Sequence, residues 1–470
     1  MNIALHDTLS GETRPFEPLE SGHVRIYSCG PTVYGPTHIG NFRSFLFADL
    51  LVRYLRYRGL RVTWVMNVTD IDDRIIKIAA ATGEPFRELT ERYIARFLED
   101  AAALRMTEPD AVPRPTDHIP EIVSLIQRLE AAGIAYRTPD GSIFFRIESW
   151  PSYGRLARLD AENLRVGERV EADDYGKDDV RDFALWKGVK PGEPSWETEI
   201  GTGRPGWHIE CSAMSMAKLG ETFDIHTGGV DLIFPHHEDE IAQSEAATGK
   251  EFVRTWLHCA HLQMAGAKMA RSVGNIARVA DLLEAGIEPR ALRYFLISVH
   301  YRMAVSYSEE SLAAAGAAVA RIDAAIAALR AYRNDGRDDA TFAAVLATAR
   351  ADFEAALDDD LNVSPALAAV FELVRELNRR IDARTLSTAD AERGLALIAD
   401  LDTVLGVTAP AEAELVPELT ALLEARATAR ANRDWAESDR LRDELLTRGV
   451  AVEDTRDGQR WRRVEVASGA

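Results

Sequence analysis

At 470 residues and 46% hydrophobic, the chain is long enough for about three domains of ordinary size and apolar enough to pack them, which excludes wholesale disorder. Its formal net charge of -20 excludes a protein that coats nucleic acid, because phosphate binding is driven largely by Lys and Arg, so any RNA contact has to be local. Three cysteines, Cys29, Cys211 and Cys259, are too few and too scattered for a disulfide framework, and they direct attention to thiol or metal chemistry.

The N-terminal residues Met1–Asp7 carry no basic segment leading into an apolar run, and no stretch of about 20 uncharged apolar residues occurs, so a soluble cytoplasmic protein is expected. Residues 24–29 read as a short strand, followed by the Gly/Pro-rich turn Gly30–Thr37. A helix is predicted from near His38, with Phe42, Phe45, Leu46, Leu50, Leu51 and Leu55 at helical spacing and Gly59 as its stop, before a second strand over 61–67. This is one strand–helix–strand unit of a parallel sheet. The stretch from about 115, with a strand signal at Gly141–Ile147 and an acidic loop at Glu171–Tyr175, reads as an insertion between two halves of that sheet. The second half resumes near Gly206 and runs through Phe223–His226 to a loop bearing Lys268. Past about 309 the pattern is alanine-rich and amphipathic, with Leu367, Val370, Phe371, Leu373 and Val374 as an example, as in antiparallel helices. After Pro410 come a helix around 433–448, a Gly449 stop and a strand at Val450–Val452.

The expected architecture is therefore α/β: a Rossmann-like parallel sheet catalytic domain with an insertion, then an α-helical bundle and a small C-terminal domain. Its boundaries are expected at 1–114, 115–200, 201–262, 263–308, 309–409 and 410–470.

No G-x-x-x-x-G-K-[ST] loop occurs, and Gly201–Gly206 matches G-x-G-x-x-G without a clear strand before it. If a nucleotide binds, the start of the first long helix is the candidate, where His38-Ile39-Gly40-Asn41 offers free backbone N–H groups, the helix dipole and a side-chain donor. Gly40 would let the ligand lie against the backbone. The partner segment is Lys268–Asn275, whose Lys268 and Arg271 could clamp a triphosphate. Only seven of the 55 basic residues are lysines, which gives Lys268 added weight. Taken alone, each string is also satisfied by an ordinary surface histidine or basic loop. His236 and Glu240, spaced i, i+4, would share one helical face, while His237 and Glu238 would point elsewhere. With Cys29 and Cys211 they form a donor set suited to Zn²⁺, although a lone cysteine serves equally well as a small core residue.

The two strings, in this order on a parallel-sheet pattern, resemble the paired signatures of class I aminoacyl-tRNA synthetases. With Gly30–Tyr34, Asn67–Asp73, Gly206–Met214 and Asp231–Glu238, the chain resembles the cysteinyl-tRNA synthetase family over nearly its full length. The resemblance implies activation of L-cysteine with Mg-ATP to cysteinyl-adenylate and transfer to tRNA(Cys) by a monomer. It implies one Zn²⁺ held by Cys29, Cys211, His236 and Glu240, a pocket formed by Thr69, Trp207 and Asp231, and ATP contacts from His38, Gly40, Asn41, Lys268 and Arg271. Zinc favours a thiolate over a hydroxyl that stays protonated, so serine would be rejected at the metal without an editing domain. Asn41 stands where many class I enzymes have a second histidine, and Ala270 and Arg271 replace the usual Ser and Lys of the lysine loop. Asn still donates and Arg keeps its charge, so a tuned site is expected. Two rivals remain in view. One is a cysteine ligase acting on an amino sugar, which would lack the tail with Trp435 and Trp461 beside Arg460, Arg462 and Arg463; the other is a silent zinc-stabilised tRNA-binding paralogue. The family further suggests a persulfide-forming side activity with pyridoxal phosphate on lysines such as Lys77 or Lys268.

Overall fold

The structure is a computed structural model that describes residues 2–158, 181–264, 267–268, 277–409, 417–455 and 458–463. It divides into two compact units, Met1–Thr408 and Ala409–Ala470.

The first unit opens with an antiparallel ribbon, β1 (Ala4–Asp7) and β2 (Glu12–Pro15), ahead of the strand expected to come first. β2 is exposed throughout and carries no alternation, so the sequence offers no strand signal there. The expected unit follows as β3 (His23–Ser28), α1 (Ile39–Tyr57) and β4 (Arg61–Met66). α1 is buried almost all round, with Phe42, Leu46, Leu51 and Leu55 fully enclosed, which suits a helix sandwiched between the sheet and further helices. Next come α2 (Asp73–Thr82), α3 (Phe86–Ala103) and α4 (Ile119–Ala131). A separate antiparallel sheet is formed by β5 (Ala135–Arg137), β6 (Ile143–Phe145), β7 (Phe183–Gly188) and β8 (Gly203–Pro205). Its last strand lies beyond the expected end of the insertion at residue 200, because Trp186–Gly188 pair with Gly203–Pro205.

The chain returns through α5 (Trp207–Leu219), β9 (Phe223–Gly229), α6 (Glu238–Thr248) and β10 (Val253–Cys259). The central sheet has the order β10-β9-β3-β4 with every pairing parallel. From β3 the chain winds outward to β4, and from β9 it winds outward in the opposite direction to β10. The crevice outside the C-terminal ends of β3 and β9 is therefore the topological switch point, where open α/β sheets bind ligands.

β11 (Leu262–Met264) and β12 (Ala267–Lys268) form a small sheet with β13 (Val305–Tyr307), after α7 (Val279–Glu284) and α8 (Pro289–Ile297). Lys268, expected on a loop, is thus the end of a short strand paired with Gln263. The helical region consists of α9 (Glu309–Ala331), α10 (Phe342–Asp358), α11 (Val363–Asp382) and α12 (Thr388–Leu405). Among the described residues, α9 is the one helix long and apolar enough to cross a membrane; its Leu312, Ala315, Val319, Ile322 and Leu329 lie in the hydrophobic core. A buried Asp49–Arg293 pair at 2.6 Å joins α1 to α8, and Arg293 also donates to the Leu405 carbonyl at the end of α12.

In the second unit, α13 (Pro417–Ala431) and α14 (Trp435–Thr447) pack with a hairpin of β14 (Val450–Thr455) and β15 (Gly458–Arg463) around Leu419, Leu423, Leu445 and Val450. Buried Arg426 makes a bidentate pair with Asp454. Trp435 is exposed beneath Arg430, whereas Trp461 is half-buried against the core. The side chains of Arg460, Arg462 and Arg463 lie outside the described residues.

Candidate active site and metal centre

A cavity of about 220 Å³ opens at the switch point. The C-terminal ends of three strands feed it: Cys29 after β3, Asn67 and Thr69 after β4, and Gly229 at the end of β9. The loop after β3 is zipped to the loop after β4. Gly30 N–H donates to Asn67 Oδ1 at 3.0 Å, Asn67 Nδ2 to Thr69 Oγ1 at 3.2 Å, and Thr69 N–H to the Pro31 carbonyl at 3.0 Å. A Cβ on Gly30 would stand 1.8 Å from the Asn67 carbonyl oxygen, so only glycine allows this closure.

The N-terminus of α1 faces the same cavity, which His38, Gly40 and Asn41 line. His38 is the N-cap, with φ -98° and ψ 161°, and its Nδ1 accepts from the Asn41 backbone N–H at 3.2 Å. With Nδ1 accepting, the neutral ring carries its proton on Nε2 and can donate there. A helix N-terminus of this kind favours anions. Arg74 lines the cavity too, its guanidinium 5.2 Å from the centre of the Tyr34 ring.

The cavity floor is a cluster of metal-ligating side chains. Cys29, Cys211, His236 and Glu240, drawn from the position just after β3, α5, the turn before α6 and α6 itself, bring one ligand atom each to within 4.8 Å of one another, and all four are buried. Cys29 Sγ lies 3.8 Å from Cys211 Sγ and 3.8 Å from Glu240 Oε1, and His236 Nε2 lies 3.1 Å from Glu240 Oε1. Two sulfurs bound tetrahedrally at about 2.3 Å stand about 3.8 Å apart, so the thiol separation fits a zinc site as it is.

His236 and Glu240 do share a face, but not on a regular helix. Residues Ile233–His237 form a widened turn kinked at Phe234, whose φ -137° and ψ 132° are extended, and α6 begins only at Glu238. The kink overturns the expectation for His237. Its Nε2 stands 3.4 Å from Cys29 Sγ and 3.9 Å from Glu240 Oε1. Glu238 does turn away, accepting backbone N–H groups from Gly154, Arg155, Leu156 and Ala157.

The electrostatics suit a cation. Burial, reinforced by Cys211 and Glu240, pushes the Cys29 thiol well above its ordinary range. Burial also pushes His236 down to about 3 and His237 well below its usual value, despite Glu240 beside His236. Two thiols, imidazoles and a carboxylate are thus gathered as buried groups, and among the described residues the ion-pair partners of Glu240 are histidines. A divalent ion reverses this balance by stabilising the thiolate and the carboxylate together. Cys259, by contrast, is a buried core thiol with its Sγ toward the Arg43 and Ala260 carbonyls.

The three residues expected to form the amino-acid pocket line the same cavity. The Trp207 ring stacks on His236 with centroids 4.3 Å apart, Thr69 lies in the wall, and Asp231 sits 3.9 Å from His261 Nδ1. The backbone of Lys268 is described, but its side chain is not, and Arg271 with Met269–Asn275 lies outside the described residues. Sequence reasoning missed the histidine shell of His208, His226, His237 and His258. It also missed Arg74, whose only sequence signal is its place directly after the Asn67–Asp73 string.

Residues 15–317 match the model of the tRNA synthetases class I (C) catalytic domain, 352–409 the DALR domain, and 412–462 the cysteinyl-tRNA ligase anticodon binding domain. A cysteine–tRNA ligase of Stutzerimonas stutzeri is 45% identical over 478 residues, covering 99% of this chain and 100% of that one. The cysteine–tRNA ligase of Leptospira interrogans is 43% identical over 470 residues, covering 98% and 100%. In fold, the chain is similar to Mycobacterium tuberculosis methionyl-tRNA synthetase in complex with methionyl-adenylate, with a TM-score of 0.60, 19% identity, and 88% and 96% of the two chains covered. Parallel sheet, cavity and full-length likeness agree: the chain belongs to the cysteinyl-tRNA ligase family of class I tRNA synthetases.

Proposed function

We propose that this protein is a cysteine–tRNA ligase that activates L-cysteine with Mg-ATP to cysteinyl-adenylate and transfers the cysteine to tRNA(Cys). The observation that carries the reading is a shared cavity: a cluster of thiol, imidazole and carboxylate donors and the anion-favouring N-terminus of α1 open onto one space. That is the juxtaposition needed to place an amino acid's carboxylate beside the α-phosphate of ATP.

Cys29, Cys211, His236 and Glu240 would hold one Zn²⁺, which supplies a soft Lewis-acid centre that accepts a thiolate in preference to a hydroxyl. Trp207, stacked on His236, and Thr69 would close the pocket around the cysteine side chain, and Asp231 would receive the α-ammonium group. Phosphate charge would meet His38 Nε2–H, the Asn41 amide and the backbone at Gly40, with Lys268 and Arg271 closing from the opposite segment. Attack of the substrate carboxylate on the α-phosphate then needs no protein nucleophile, because positioning and charge stabilisation supply the rate. In this reading residues 1–114 and 201–262 are the halves of the catalytic domain, 115–200 the insertion, 263–308 the stem-contact region, 309–409 the helical bundle and 410–470 the anticodon-binding domain. The protein acts as a cytoplasmic monomer.

The test is formation of cysteinyl-tRNA from ATP, cysteine and tRNA, with serine as the control amino acid. Cysteine-dependent exchange of pyrophosphate into ATP and charging of tRNA(Cys) are expected. Absence of both from well-folded, metal-replete protein would overturn the assignment.

A further inference from the structure

Behind the four donors assigned to zinc lies a second set that shares two of them. Cys29, His226, His237 and Glu240 also bring one ligand atom each to within 4.8 Å of one another, and all four are buried. His226 Nε2 is 3.0 Å from Glu240 Oε2, and His237 Nε2 is 3.4 Å from Cys29 Sγ. We propose that this inner set is a second position for the metal ion, used as an alternative to the outer one. Cys29 and Glu240 are common to both, and the ion's place depends on whether Cys211 and His236 or His226 and His237 complete its shell. The inference rests on the reading that this cluster binds zinc.

The hydrogen bonds behind His237 favour ligation. His237 Nδ1 is 2.8 Å from His258 Nε2, and His258 Nδ1 is 2.8 Å from Thr8 Oγ1. When His258 donates to Thr8 it accepts from His237 Nδ1–H, which leaves the Nε2 lone pair of His237 facing Cys29. This is the outer-shell arrangement that orients ligating histidines. The ring is admitted by Gly228, where a Cβ would stand 2.6 Å from His237 Cε1. His226 stacks on Trp256 with centroids 4.6 Å apart, and its Nδ1 has no hydrogen-bond partner. Opposite the Glu240 carboxylate Nε2 carries the ring proton, and an ion that takes the place of that proton shifts it to Nδ1.

Charge and access separate the two positions. The inner set contributes two anionic donors, Cys29 and Glu240, which one divalent ion neutralises. The outer set contributes three and leaves one negative charge without a counter-charge among buried side chains, which is costly. Two ions at once would leave a net positive charge on the three anions Cys29, Cys211 and Glu240, so a single ion that changes place is the economical state. Cys29, Cys211 and His236 line the cavity, whereas His226, His237 and Glu240 do not. An ion on the inner set is therefore withdrawn from the cavity, and this is its resting place when no amino acid is bound.

The test compares intact protein with a Cys211→Ala/His236→Ala double variant, each stripped of metal, reloaded with Zn²⁺, dialysed and analysed for metal content, with folding checked by circular dichroism. One zinc per chain is expected in both, and adding His226→Ala to the double variant should abolish binding. Reloaded with Co²⁺, the double variant should show the sulfur-to-cobalt band of one thiolate. One zinc in the intact protein and none in the folded double variant would overturn the second position while leaving the zinc reading in place. No zinc in either would overturn both. Should the double variant not fold, X-ray absorption on intact zinc protein without amino acid decides. An average below two sulfurs per zinc, rising to two in His226→Ala, supports the inner site, and two sulfurs from the start excludes it.

Discussion

His38 has two separable tasks, and two substitutions divide them. Its Nδ1 caps α1 by accepting from the Asn41 N–H, and its Nε2–H is the donor proposed for the phosphates. His38→Asn preserves a good cap and removes the imidazole, whereas His38→Ala removes both. Loss of a side-chain N-cap costs about 1 kcal/mol. Loss of one donor aimed at developing charge costs about 3–4 kcal/mol of transition-state stabilisation, a factor of about 10²–10³ in rate. His38→Asn should therefore unfold in urea within about 0.5 kcal/mol of the natural protein, yet be slowed about 10²–10³-fold in cysteine-dependent pyrophosphate exchange. His38→Ala should be slowed to the same degree and destabilised as well. If His38→Asn were fully active, or if the activity loss simply followed the stability loss, the imidazole would be a cap and nothing more.

Three further outcomes are expected. Arg293→Met should lower the unfolding free energy of the first unit by about 1.5–3 kcal/mol in urea titrations, because it removes one charged partner of buried Asp49, which keeps Arg53 at 2.9 Å, and a donor to the Leu405 carbonyl. Burial raises Asp100 from its ordinary 3.8 to about 6 even with Arg96 beside it at 3.2 Å. The folded chain therefore binds more protons than the unfolded one between these values. This contribution to stability is fully present below pH 3.8 and is lost as pH rises through 6. Asp100→Asn should be more stable than the natural protein at pH 8, by at most about 3 kcal/mol, with the gain gone near pH 4; equal melting at both pH values would contradict the shift. Removing residues 410–470 should leave cysteine-dependent pyrophosphate exchange intact and abolish tRNA charging, whereas unchanged charging would remove the anticodon-binding role from that segment.

The parts of this molecule that follow a periodic rule were readable from the sequence. The β3–α1–β4 unit declares itself through a strand, a glycine-rich turn and an apolar helix stopped by Gly59, and the helices from 309 onward do so through their stripes. Cys29, Cys211, His236 and Glu240 were legible as one donor set through the resemblance to the cysteinyl-tRNA synthetase family, and the structure brings the four together. What stayed hidden depends on three-dimensional accidents of the chain. β2 carries no pattern at all. His237 was phased wrongly because an extended Phe234 breaks the helical count on which i, i+4 reasoning rests. His226 and His258 come from the interior of two parallel strands, where a histidine in the sequence reads as one more buried residue. The side-chain placement of Lys268 and Arg271 falls outside the described residues.

The central claim is that four side chains from three separate stretches of the chain converge on one ion that selects sulfur. It is tested most directly by cysteine-dependent pyrophosphate exchange, with serine as competitor, in protein stripped of zinc and then reloaded. The account predicts one zinc per chain, loss of the cysteine reaction on stripping, recovery on reloading, and preference for cysteine over serine by about 10⁴–10⁵ in the loaded enzyme. Full activity with undiminished rejection of serine in metal-free protein would contradict it.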